Sequence, residues 1–216
     1  MNEDACPTRP LTASPLTEYF LMFFKTIAIA FGVTTLTTAC SFFIQPMHNV
    51  TVESPEYDPA ISARVRILSG NGTGSAVFRT GEACYKSGFA GDDATVKVGD
   101  GFWSTWKYSS RSVTIGMPAS PRKGMTVAGL DFKDFIREYV VPASKPLTVA
   151  LGVGGDWGHY HWSCSPPAAY FTPQPGQDYD IFLDQSAGRC WVAVRRIDGH
   201  ELDESVALKV APKCAP

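Results

Sequence analysis

The sequence lacks most of the signatures that mark a small enzyme or a metal protein. No two cysteines stand three positions apart, so the paired spacing of zinc sites is missing. No Gly-x-Ser-x-Gly occurs, so nothing marks the sharp strand-to-helix turn that presents a catalytic serine. Histidine is scarce, at four residues, and nothing in the spacing assigns any of them to a serine and a carboxylate. Excess charge is absent too: 19 Lys and Arg stand against 21 Asp and Glu, for a net charge of −2. A near-neutral chain carries no electrostatic footprint for nucleic acid. No apolar run reaches the roughly 20 residues needed to span a bilayer. Internal repeats and low-complexity tracts are also missing. These absences argue against an enzyme and call for no cofactor or metal.

What is present near the front is the layout of an export signal. Lys25 leads a short apolar run from Ile27 to Val33, and the small and hydroxyl residues after it end at Ala39-Cys40. This stretch resembles a bacterial lipoprotein signal, with Thr37 where a branched aliphatic residue is usual and Leu36 one place earlier. The resemblance implies that Cys40 is acylated and begins the mature protein; cleavage by an ordinary signal peptidase is the alternative. Residues 1–21 do not fit the layout, because Glu3, Asp4 and Glu18 outnumber the single basic Arg9 where a positive segment is normal. Residues 1–21 are therefore read as a misassigned start or a disordered leader, 22–39 as the signal, 40–62 as anchor and flexible tether, and 63–216 as the folded domain. Ser41 follows the cysteine in place of an aspartate, and by resemblance to lipoprotein sorting this implies the outer membrane, facing the periplasm.

From Cys40 onward 177 residues remain, enough for one domain with a tether. Cys84, Cys164, Cys190 and Cys214 are then left over, an even number that implies two disulfides in an exported chain. Three pairings are open and the spacing does not choose among them. Cys164–Cys190 is preferred because these cysteines flank adjacent strand-like runs. Cys84 would then clip Cys214 and hold the C-terminal tail.

The domain reads as short strands separated by glycine and proline. Arg64 to Leu68 alternates polar and apolar residues, as a half-buried strand does. Gly70 to Gly74 is read as a hairpin turn leading into Ser75 to Arg79. Further strands are expected at 94–98, 102–108, 112–115, 147–151, 168–172, 179–183, 190–197 and 206–210. One segment breaks the pattern. Phe132, Phe135, Ile136 and Tyr139 recur at helical spacing, with Asp131 placed to cap and Pro142 to stop, which predicts one short amphipathic helix. The fold expected is mainly β, a single sandwich with one short helix.

The run Tyr170-Phe171-Thr172-Pro173-Gln174-Pro175-Gly176-Gln177-Asp178-Tyr179-Asp180-Ile181, followed by Gly188-Arg189-Cys190, resembles a loose set of small bacterial lipoproteins. That set implies an immunoglobulin-like or prealbumin-like sandwich and supplies no catalytic residues.

Two constellations carry chemistry. Asp156, His159 and His161 would supply metal ligands if the histidines shared one strand face, but only two have any geometry, and a Gly-rich loop folded against Cys164 accounts for them as well. Trp103, Trp106, Trp157 and Trp162 are the other. Buried, they are core; exposed, they are anchors for a protein partner or a sugar ring. The function expected is a non-enzymatic, lipid-anchored interaction or scaffold domain of the cell envelope, with another envelope protein as partner. The alternative is a glycan or other ligand-binding module using the tryptophans, and a metal-dependent hydrolase at the two histidines comes behind both. Intact mass of membrane-extracted protein checks the anchor: the chain should begin at Cys40 with added acyl mass, and Cys40→Ser should remain unprocessed or leave the membrane fraction.

Overall fold

The computed structural model describes residues 48–70, 74–86, 94–99, 110–131, 133–157 and 159–215. Among these, two β-sheets pack on one another. Sheet A has the order β1 (His48–Val52), β5 (Ser110–Thr114), β6 (Asp134–Pro142), β2 (Ser62–Gly70), β10 (Asp178–Ser186), β11 (Arg189–Ile197), β12 (Asp203–Ser205). Sheet B runs β13 (Lys209–Val210), β9 (Ala169–Phe171), β7 (Leu147–Trp157), β3 (Gly74–Thr80), β4 (Thr95–Lys97), with β8 (Tyr160–Cys164) paired to β7. The expected β-sandwich is thus observed. Sheet A is mixed, because β2–β10, β1–β5 and β5–β6 run parallel.

Strand alternation builds the core. On β2, Ala63, Val65 and Ile67 are fully buried and face sheet B together with Phe135 and Val141 of β6, Ile181 of β10, and Val192 and Val194 of β11. Sheet B answers with Phe78, Leu147, Val149, Leu151 and Phe171. Two edge-to-face ring pairs cross the interface, Phe78 with Tyr139 at 4.9 Å and Phe171 with Tyr179 at 5.2 Å between centroids.

The predicted helix at 131–142 is strand β6. Its residues pair one-to-one with β2, from Gly70↔Asp134 to Ser62↔Pro142. Both of its faces are buried: Phe135 and Val141 point into the sandwich, while Ile136 and Glu138 lie on the other face beneath the segment 115–127. A strand covered on both sides loses its period of two, and apolar residues then fall by chance at helical spacing. Lys133, with φ of +62°, also turns the chain just before β6, and a right-handed helix cannot include that conformation. Helical structure among the described residues is limited to single 3₁₀ turns at Lys123–Met125 and Val127–Gly129.

Three smaller corrections follow from pairing. Strands β2 and β3 belong to different sheets and each pairs elsewhere, so the two do not form the expected hairpin. Part of the expected tether is structured, because β1 pairs in parallel with β5 and Glu53 N–H donates to the Thr114 carbonyl at 2.8 Å. Tyr57 stacks under the Arg64 guanidinium at 4.8 Å, so the chain joins the domain well before position 63. At the other end, the expected strand 206–210 is reduced to Lys209–Val210.

Both disulfides adopt the preferred pairing. Cys164–Cys190 ties β8 of sheet B to β11 of sheet A, and Cys84–Cys214 fastens the C-terminal tail. Two such bonds fit an oxidising, extracytoplasmic compartment. No helix among the described residues is long and apolar enough to cross a membrane.

The centre of sheet A is locked by charge. Arg66 is 4 % exposed and sits in register between Glu138 of β6 and Asp180 of β10. Its Nε and Nη2 donate to Glu138 Oε1 at 2.9 and 2.7 Å, Nη1 to Asp180 Oδ1 at 3.0 Å, and Nη2 also to the Pro118 carbonyl at 2.7 Å. Glu138 Oε2 accepts the backbone N–H groups of Ile115 and Met117. Removing one member strands a buried charge, so Glu138→Ala should cost about 3–5 kcal/mol. Urea unfolding should show this as a lower midpoint with an unchanged slope.

Candidate functional site

The disulfide Cys164–Cys190 marks the end of the sandwich where the candidate features gather. Strands β7 and β8 form an antiparallel ribbon with the register Val153↔Cys164, Gly155↔Trp162 and Trp157↔Tyr160. Opposite Trp162 stands a glycine, and a β-carbon there would lie 3.0 Å from the indole Nε1. Gly155 therefore lets the indole lie against the backbone of β7, while Trp162 remains 46 % exposed. Trp191, beside Cys190 on β11, is 42 % exposed, whereas its neighbours Val192 and Val194 are buried. The two valines take the core side, so the indole turns to the opposite face of β11.

Trp157 occupies the last position of β7. Trp103, Trp106 and Cys40 lie outside the described residues. The histidine pair does not form a strand-face site: His159 is in the turn and His161 is in β8, opposite Asp156. Among the described residues no three His, Cys, Asp or Glu side chains come together as metal ligands.

A cleft of about 140 Å³ opens between the sheets at this end, lined by Ser69 and Gly70 of β2, Ser75 of β3, Asp134 of β6, Leu151 to Val153 of β7, and Leu183 and Gln185 of β10. The disulfide is its neighbour, because Cys164 pairs with Val153 and Cys190 with Gln185. Among the described residues of the lining, Asp134 is the one ionisable group. Burial pushes its carboxyl up to about 6, Asp131 adds to the rise, and His48 opposes it. His48 itself is held on β1 by a 2.7 Å contact between Nδ1 and Ser110 Oγ. A carboxyl whose pKa is raised by burial within a cleft is a candidate functional group. Sequence reading missed Asp134 because it counted this residue on the polar side of a helix.

A second concavity of about 320 Å³ lies over the Arg66–Glu138 pair and is lined by Val52, Met117, Met125, Val127 and Ile136 among others. The charges at its floor are mutually satisfied, so they hold the covering segment and are not offered to a ligand. Burial raises the Asp180 carboxyl, with Ser120 and Arg66 working against it. At the rim, burial works against ionisation of Asp203, but Arg195 and Arg122 hold it below the usual carboxylate range.

Compared with protein-family models, curated proteins and solved structures, the chain matches none.

The Asp134 carboxyl sets a pH dependence of stability. Its folded value lies above the unfolded one, so the folded state binds more protons between about pH 4 and 6, and stability falls as pH rises through that window. Asp134→Asn should remove this fall, leaving stability at pH 4 nearly unchanged and raising it at pH 7. Thermal melts of the two proteins across that range check it.

Proposed function

We propose that this chain is a non-enzymatic, lipid-anchored interaction domain of the bacterial cell envelope, held through Cys40 to the periplasmic face of the outer membrane. Its partner is another envelope protein. The observation that supports this reading best is the pair of half-exposed indoles near the disulfide that joins the two sheets, Trp162 two residues before Cys164 and Trp191 next to Cys190. Tryptophan is enriched among the residues that dominate protein interfaces, and a cross-linked sheet end holds such anchors with little entropy to lose on binding. The lipoprotein-like signal and the two disulfides fit an exported domain tethered close to its partners.

Chemistry finds less support. Glu138, the best placed carboxylate, spends both oxygens on Arg66 and on the backbone N–H groups of Ile115 and Met117, and Asp180 gives Oδ1 to Arg66. A second reading draws on the cleft: Asp134, Ser69, Ser75 and Gln185 offer polar groups to a small ligand such as a glycan.

Photo-crosslinking in intact cells separates the readings. A photoreactive residue at position 162 or 191 should yield one discrete adduct with an envelope protein, and a probe at Asn49 on β1, at the opposite edge of sheet A, should not. Trp162→Ala and Trp191→Ala should each weaken that complex by more than about 2 kcal/mol, while the melting temperature stays nearly constant. Adducts with polysaccharide alone would favour the glycan reading. If both variants unfold, the indoles are structural and the proposal fails.

A further inference from the structure

Arg79 of β3 is only 9 % exposed, yet its Nη1 approaches both sulfurs of one disulfide, 3.3 Å from Cys84 Sγ and 3.1 Å from Cys214 Sγ. A neutral disulfide sulfur is only a weak hydrogen-bond acceptor. The same contact has a clear use once the bond opens. A thiolate gains far more from a guanidinium N–H than a disulfide sulfur does, and a cation beside cysteine lowers the thiol pKa. A thiol that ionises readily is a better leaving group in thiol–disulfide exchange, and a stabilised reduced form raises the reduction potential.

The element this bond controls is the C-terminal tail. Beyond Ala211 the tail is held by Tyr85 N–H on the Pro212 carbonyl and Cys214 N–H on the Tyr85 carbonyl, both at 2.9 Å, and before it by the two-residue strand β13. Strand β13 covers the edge of β9 in sheet B. Both cysteines are half-buried and neither belongs to the apolar core.

We infer that Cys84–Cys214 is a site of thiol–disulfide exchange with a dithiol reductant, and that opening it frees the C-terminal strand from the edge of sheet B. In the first step a thiolate of the reductant attacks one sulfur of the pair. The S–S bond breaks, and its electrons leave with the other sulfur as a thiolate facing Arg79. The second thiol of the reductant then gives up its proton and displaces the mixed disulfide. Two electrons and two protons pass from the dithiol, which becomes a disulfide, to Cys84 and Cys214. Cys164–Cys190, which bridges the two sheets in the same molecule, is the internal reference.

Equilibration of the folded protein in dithiothreitol redox buffers, followed by acid quench, alkylation and peptide mass analysis, reads each pair separately. Cys84–Cys214 should open first. Arg79→Met should make it at least tenfold harder to reduce, equivalent to about 30 mV, Arg79→Lys should recover part of the difference, and Cys164–Cys190 should not change. Amide exchange should rise at Val210 on reduction and stay constant in β7. An Arg79→Met constant within twofold of the native one, opening of both pairs only on global unfolding, or a tail that exchanges no faster would overturn the inference. Should Arg79→Met not fold, the alkylation rate of the freed native thiols against pH decides: a midpoint well below the ordinary cysteine value of about 8.5 supports it, and one at or above that value overturns it.

Discussion

The ion triad Glu138–Arg66–Asp180 is the constraint from which the rest of sheet A follows. The three residues lie side by side on adjacent strands, so one row of charge crosses β6, β2 and β10. A slip of one residue would turn Arg66 into the apolar interior and bring Val65 or Ile67 out beneath the covering segment. Such a slip forfeits both the ion pairs and the burial, so the triad acts on register more than on net stability. Buried pairs often roughly break even against apolar replacements.

The same triad explains how sheet A can be mixed and buried on both faces. Parallel neighbours such as β2 and β10 need cover on each side. One side is the sandwich core. On the other, Glu138 Oε2 takes the backbone N–H groups of Ile115 and Met117, and Arg66 takes the Pro118 carbonyl. The segment after β5 is thereby pinned across the sheet, and Met117 and Met125 seal it. Arg122 continues the pattern by stacking on Phe182 at 5.0 Å and pairing with Asp203 at 2.7 Å. A loop of little regular structure is held by polar contacts that the sheet itself supplies.

The two disulfides divide the remaining work. Cys164–Cys190 closes a sequence separation of 26 residues and joins the sheets where the β7–β8 ribbon carries the half-exposed Trp162. Cys84–Cys214 closes a separation of 130 residues and holds an edge strand only two residues long, which its own backbone bonds would hold weakly. The first cross-links the two sheets, and the second anchors the C-terminal tail.

The sequence by itself determined the strand-rich class, the two disulfides and most strand positions. Alternation in Arg64 to Leu68 and turn chemistry around Pro173 to Gly176 are local properties that survive without a fold. It also marked Trp162 as a candidate anchor, although whether an indole faces solvent is not a local property. The tertiary structure alone decided β6, because burial of both faces of Phe135 to Val141 erases the period that identifies a strand. It alone decided the partners of β2 and β3, because the choice of sheet depends on cross-strand neighbours far along the chain, β6 and β10 for β2 and β7 for β3. The Arg66 triad and the Asp134 cleft arise the same way. Each joins side chains that are unremarked in sequence and acquire their chemistry only when register sets them next to one another and burial strips away water.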